Sequence, residues 1–253
     1  MPFVNNKGNH IYYEVKGNGT PIVFVHPPVF PSEVFQGQVN DLSQSYRTVF
    51  FDLRGHGNSS PSQTDWDFSD IAEDLLCLFD HIDVKTAWIC GYSAGASVAF
   101  EFTKKYPERV EGLIQIGTAP KVADPFLKGL VKGAMFLAGR HIMFPLAFVG
   151  SIVNINTFDR FLRLYKASRR TNAADAHSYY KAFLHYSCHD WLPSLEKPVL
   201  LVYGEKDRIS GRYADESARL LPNNQLVIIK KSSHEVPGNH TREFNNIIRT
   251  FIR

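Results

Sequence analysis

Four short apolar runs rich in β-branched and aromatic residues mark the first half of the chain: Ile22-Val23-Phe24-Val25, Thr48-Val49-Phe50-Phe51, Ala87-Trp88-Ile89-Cys90 and Leu113-Ile114-Gln115-Ile116. Each is too short for a stable helix, and near-continuous apolarity is what a parallel strand covered on both faces requires. Between the second and third runs, residues 69–81 carry apolar side chains at 71, 72, 75, 76, 78 and 79, the spacing of one helix face. Ser69, ahead of Asp70 and Glu73, reads as that helix's N-cap. Strands alternating with helices imply right-handed crossovers and an α/β doubly wound sheet. The rhythm returns late, with strands at 199–203 and 225–229, a helix near 212–221 and a closing helix at 242–252.

Residues 121–190 break this alternation. From 126 to 153, 18 of 28 positions are apolar, and Met135 and Met143 lie here. Residues 159–170 then read as a helix with Arg163, Lys166 and Arg170 along one side, a solvated basic face. The chain therefore divides into a core segment 1–120, a helical insertion 121–190 folded over one end of the sheet, and a second core segment 191–253. The uncharged stretch 142–158 is interrupted by Pro145, Gly150, Asn154 and Asn156, too short and too polar to span a bilayer. The N-terminal residues lack the basic-then-apolar order of a signal peptide, so the expected location is cytoplasmic. A net charge of +3 over 253 residues gives no footprint for nucleic acid. Three widely spaced cysteines, with no C-x-x-C pair, argue against a structural metal.

The strongest local signal is Gly91-Tyr92-Ser93-Ala94-Gly95, between a strand-like run and a helix-like segment. G-x-S-x-G in that context is a nucleophile elbow: the glycines relieve crowding at a sharp reversal, and Ser93 projects over the sheet edge. The following helix aims its N-terminal N–H groups at the site, with Ala94 N–H as one oxyanion donor. Serine needs a base and an orienting acid. Asp207 follows the strand at 199–203, and His234 follows the one at 225–229, giving the order Ser…Asp…His. Rivals exist in His240, six residues after His234, and in Asp52, Asp190 and Glu205 as the acid. Cys90, in a buried strand, reads as a small hydrophobe.

The elbow, the segment Asp52-Leu53-Arg54-Gly55-His56-Gly57-Asn58-Ser59 and the tail Gly204-Glu205-Lys206-Asp207 with His234 resemble the α/β-hydrolase superfamily. The similarity is to small, cofactor-free carboxylesterase-like members with a helical cap. The resemblance implies a mostly parallel eight-stranded sheet with helices on both faces, a Ser93/Asp207/His234 triad, a cap that roofs the pocket, and no metal or organic cofactor. It specifies the superfamily far better than the substrate. Members of this superfamily usually carry His-Gly-x-Pro after the third strand, where a backbone N–H gives the second oxyanion donor. Here the segment is His26-Pro27-Pro28-Val29, and proline has no N–H. Val29 N–H is the first backbone donor left, with a side-chain substitute or a weakened hole as the other options. His26, Tyr92, Met135 and Met143 are the expected pocket residues.

The expected activity is hydrolysis of a carboxylic ester or lactone with an apolar part, through an acyl-enzyme on Ser93. A thioesterase, carbon–carbon hydrolase or cofactor-free perhydrolase would use the same triad. A ligand sensor with slow turnover is the reading from another class. Dehalogenase and epoxide hydrolase chemistry is disfavoured, because those relatives place Asp where this chain has Ser93. The expected partner is a small molecule.

Overall fold

The computed structural model describes residues 2–154 and 157–252. Its strands are β1 (Phe3–Asn6), β2 (Asn9–Lys16), β3 (Pro21–Val25), β4 (Arg47–Phe51), β5 (Ala87–Tyr92), β6 (Val110–Ile116), β7 (Val199–Gly204) and β8 (Asn224–Ile229). The α-helices are α1 (Gln36–Leu42), α2 (Phe68–His81), α3 (Ala94–Lys105), α4 (Pro125–Gly139), α5 (Phe144–Val153), α6 (Phe158–Ser168), α7 (Ala173–His185), α8 (Ala214–Leu220), α9 (Val236–Asn239) and α10 (Thr241–Phe251). The sheet order is β1-β2-β4-β3-β5-β6-β7-β8. β1 and β2 pair antiparallel with their neighbours, and β4 through β8 are parallel. This is the mostly parallel eight-stranded sheet that the resemblance implies. Residues 155 and 156 of the uncharged stretch lie outside the described residues.

Strand pleating divides the apolar residues between two cores. Val23 and Val25 face Ile71, Leu75 and Leu78 of α2 and Val98 and Phe102 of α3. Ile22 and Phe24 face the opposite way, towards Val39 and Leu42 of α1 and Phe244 and Ile248 of α10. Covering on both faces accounts for the unbroken apolar runs. β1 and β2 show no such run, being exposed or half-buried except at Val4 and Ile11, and the sequence pattern did not reveal them.

α2 begins one residue earlier than its apolar spacing suggests, and its cap is Asp67 instead of Ser69. Asp67 Oδ1 accepts from the N–H of Ser69 and of Asp70, while Asp70 Oδ2 accepts from Asp67 N–H at 3.0 Å. Two carboxylates thus form a reciprocal capping box where Ser69 and Glu73 were expected. Asp67→Ala should cost about 1 kcal/mol in urea unfolding, whereas Ser69→Ala should cost less than half of that. Equal losses would mean that both residues cap.

Between β6 and β7 the chain runs through α4 to α7, with Lys121 and Ser187 paired at the base of the excursion. α7 is tied to the core. Asn172 N–H donates to Gly55 O at 2.7 Å, Trp66 Nε1–H to Asp175 Oδ1 at 2.7 Å, and Tyr179 O–H to His26 O at 2.7 Å. The basic side of α6 is less free than expected. Arg163 lies 3.3 Å from Glu33, and Arg170, two residues past the helix, donates to Asn58 Oδ1 at 2.6 Å, so two of the three cations join α6 and the turn after it to the core. Among the described residues, no helix is long and apolar enough to cross a membrane.

Candidate active site

β3 and β5 are neighbours, yet the connections leaving them run to opposite sides of the sheet. Their carboxyl ends therefore border the crevice where ligands bind in doubly wound folds. Ser93 stands there, at the turn from β5 into α3, with φ 55° and ψ −123°. A non-glycine residue at positive φ is strained, and this one is held by Ser93 N–H donating to Ile116 O at 2.7 Å. The flanking glycines are required by close approach. A Cβ on Gly91 would lie 2.5 Å from Ala96 Cα, and one on Gly95 would strike the carbonyl oxygen of Val25. α3 starts at Ala94, directly after Ser93, so its first N–H groups lie beside the Ser93 side chain.

Asp207 and His234 come from the loops after β7 and β8. His234 Nδ1–H donates to Asp207 Oδ2 at 3.0 Å, leaving Nε2 for the cavity that Ser93 also lines. Asp207 Oδ1 accepts from the N–H of Ile209 (2.8 Å) and Ser210 (2.9 Å), and Ser210 Oγ donates to Oδ2 at 2.6 Å. Burial pushes the Asp207 carboxyl up, but the hydrogen bonds and charge of His234, with the bonds from Ser210, outweigh it and hold it at about 2. Ser210 had no signal in the sequence beyond its place three residues after Asp207. Gly117, at φ 57°, leaves room for the imidazole: a Cβ there would sit 2.6 Å from His234 Cε1. Ser93 Oγ makes no hydrogen bond among the described residues, and such contacts often close only with substrate bound.

The rivals have other partners. Asp52 is buried and accepts from Ser32 N–H (2.9 Å), Ser32 Oγ (2.6 Å) and Asn58 N–H (2.9 Å), which ties two loops together. Glu205 accepts from Lys231 N–H, Asp190 lies beside His189, and His240 precedes α10 beside Glu243.

A cavity of about 500 Å³ opens between the elbow and the helical insertion. Its walls are mostly apolar, from Leu127, Leu130, Leu137, Leu146 and Phe183, with Tyr92, Asn154, Tyr180 and Glu235 as polar members. Tyr92 lines it as expected, its O–H donating to Asn154 Oδ1 at 3.0 Å. Three expected pocket residues do not line it. His26 is fully buried, its Nδ1–H donating to Pro27 O at 2.8 Å and its Nε2 accepting from Leu53 N–H at 2.9 Å. It braces the Pro-Pro loop from beneath. Met143 packs beside Ala138 and Ala147 within the insertion, and Met135, though half-buried, is absent from the cavity wall. Helical phase decides this: Val131 and Ala134 turn inward on α4, whereas composition alone picked the methionines.

Val29, expected to offer its N–H, is not among the residues that wall the cavity. Pro27, Pro28 and Phe30 wall the cavity, but Val29, at φ 72°, turns its side chain into the insertion against Ala138, Ala147 and Ala176. Its carbonyl accepts from Thr171 Oγ1 at 2.9 Å. Among the described residues, no group of three His, Cys, Asp or Glu side chains is placed to hold a metal ion.

Residues 20–241 match the family model for the alpha/beta hydrolase fold, and the chain belongs to that family. It is 25% identical to the pimeloyl-[acyl-carrier protein] methyl ester esterase of Aliivibrio fischeri, over 96% of this chain and 97% of that one. It is likewise 25% identical to a non-heme chloroperoxidase of Kitasatospora aureofaciens, over 100% and 99%. An esterase from Exiguobacterium antarcticum superposes with a TM-score of 0.90 at 19% identity, covering 99% and 98% of the two chains, a likeness of fold.

Proposed function

We propose that this protein is a serine hydrolase that cleaves a carboxylic ester or lactone bearing an apolar group, with residues 121–190 as the cap over its pocket. The observation that carries the reading is the convergence of the Ser93 elbow and the hydrogen-bonded Asp207–His234 pair on one apolar cavity. Ser93 Oγ attacks the carbonyl carbon while His234 Nε2 takes its proton, and Asp207 holds the imidazolium. The carbonyl oxygen becomes an oxyanion facing Ala94 N–H. Collapse expels the alcohol, which takes the proton from His234. Water then attacks the acyl-enzyme, with His234 as general base, and releases the acid. No step calls on a metal or organic cofactor.

The esterase among the relatives supports ester chemistry, and the chloroperoxidase keeps peracid formation open as a side reaction of the same acyl-enzyme. The missing N–H at Pro27 and Pro28 favours a second reading, a ligand sensor with slow turnover. Steady-state hydrolysis of p-nitrophenyl esters from acetate to decanoate separates the two. Sustained turnover that rises with acyl length until the cavity is filled is the expected result. A burst followed by arrest would support the sensor.

A further inference from the structure

Proline at 27 and 28 removes two backbone donors from the loop that faces Ser93, and Val29, whose side chain packs against Ala138, Ala147 and Ala176, is not among the residues that line the cavity. A lone Ala94 N–H would leave the developing oxyanion short of one hydrogen bond. The cavity holds one hydroxyl with no assigned work. Tyr180, on α7, lines the same space as Ser93, Pro27 and Pro28, and its ring packs against the cluster that holds Val29. Its neighbour Tyr179 and the buried Tyr203 both spend their hydroxyls on carbonyl oxygens, of His26 and Thr118. Tyr180 O–H has no partner among the described residues, and burial alone sets its ionisation, pushing the phenol well up so that it keeps its proton. A phenolic O–H in an apolar pocket needs an acceptor. The helix carrying it is fixed to the oxyanion loop by Tyr179 O–H on His26 O, and the segment leading into it by Thr171 Oγ1 on Val29 O, so the backbone that bears this donor is held before substrate arrives.

We propose that the Tyr180 hydroxyl is the second oxyanion donor of this site, replacing the backbone N–H that the Pro27-Pro28 pair removes. The inference rests on the Ser93 mechanism above. When Ser93 Oγ bonds to the carbonyl carbon, the electron pair of the C=O moves onto oxygen. Tyr180 donates a hydrogen bond to that oxygen and keeps its proton throughout. The cap thereby completes the catalytic site as well as roofing it.

Tyr180→Phe keeps the ring and removes only the hydroxyl. Its kcat on p-nitrophenyl butyrate should fall about 10²–10³-fold, with KM within about twofold, the signature of a lost oxyanion donor. Affinity for an alkyl trifluoromethyl ketone, which forms an oxyanion on Ser93, should fall with it, while affinity for the corresponding unreactive alcohol stays level. The melting temperature should not move, because the hydroxyl has no partner in the protein. An unchanged kcat, or a change in KM alone, overturns the proposal and returns the second donor to the backbone. Ser93→Ala, assayed in parallel, separates the two levels. If it retains turnover, the underlying mechanism fails; if it is inactive while Tyr180→Phe is fully active, only the Tyr180 assignment fails.

Discussion

Ser93→Ala is expected to lower ester turnover by at least about 10⁴-fold and to abolish acyl-enzyme formation, with His234→Ala falling as far. The losses should be alike because the groups act as one unit: the hydroxyl is a weak nucleophile without the imidazole, and the imidazole has no proton to move without the hydroxyl. Asp207→Asn should cost on the order of 10³–10⁴-fold, since an amide nitrogen at Oδ2 would confront the His234 N–H and free the ring to flip. Asp52→Asn is the control for the acid. Asp52 contacts Ser32 and Asn58, so its rate should stay within a few-fold of wild type wherever the variant remains folded. Intact-protein mass spectrometry after mixing with a slow-deacylating ester reads the acyl adduct directly. An adduct on Ser93→Ala would place the nucleophile elsewhere.

At pH 4.5 the folded protein is expected to be about 5 kcal/mol less stable than at pH 8 on account of two buried histidines. Burial holds His26 at about 4 and, aided by the adjacent His26, holds His56 at about 3. Their rings lie 5.2 Å apart. In the unfolded chain both titrate near about 6.5. Below that pH the unfolded state binds two protons that the folded state refuses, so stability is full above about 6.5 and is lost as pH falls towards the folded values. Burial raises the carboxyls of Asp52 and Asp74, which bind protons more readily when folded and return part of this loss. Urea midpoints measured from pH 8 to 4.5 give the slope, and His56→Gln should remove about half of the histidine contribution. A flat profile in the wild type would show that neither ring is held neutral. His26 also links acid to the proposed site. Protonating it turns Nε2 into a donor facing Leu53 N–H and unseats the Pro27-Pro28 loop.

The parallel strands and the elbow were legible in the sequence because both rest on local rules: burial on two faces leaves an unbroken apolar run, and a sharp strand-to-helix reversal demands small residues around Ser93. Asp207 and His234 were legible through topology, since loops after parallel strands gather at one sheet edge. The antiparallel β1–β2 pair was not, because an edge strand covered on one side carries no apolar run. The cavity wall was harder still. Met135 and Met143 share the composition of the insertion, yet Met135 sits at the wrong phase of α4 and Met143, just ahead of α5, packs against Ala138 and Ala147, while His26, polar and beside the site, is spent on two backbone groups beneath it. Tyr180 lay unnoticed among eleven tyrosines. The role proposed for it comes into view only when its free hydroxyl is set beside Pro27 and Pro28, which carry no N–H.

Gly117 has a bearing on which changes this chain tolerates over generations. It is not among the residues that line the cavity and lies just after β6, away from all three motifs that mark the family in the sequence. Yet the volume of one methyl group there competes with the imidazole for its seat, 2.8 Å from His234 Nδ1 and 3.0 Å from Ser210 Oγ. Alanine, the mildest replacement, must therefore displace the base or distort the strand. A saturation library at this codon, selected for ester turnover, should return glycine alone, although the position would look expendable to anyone counting catalytic groups.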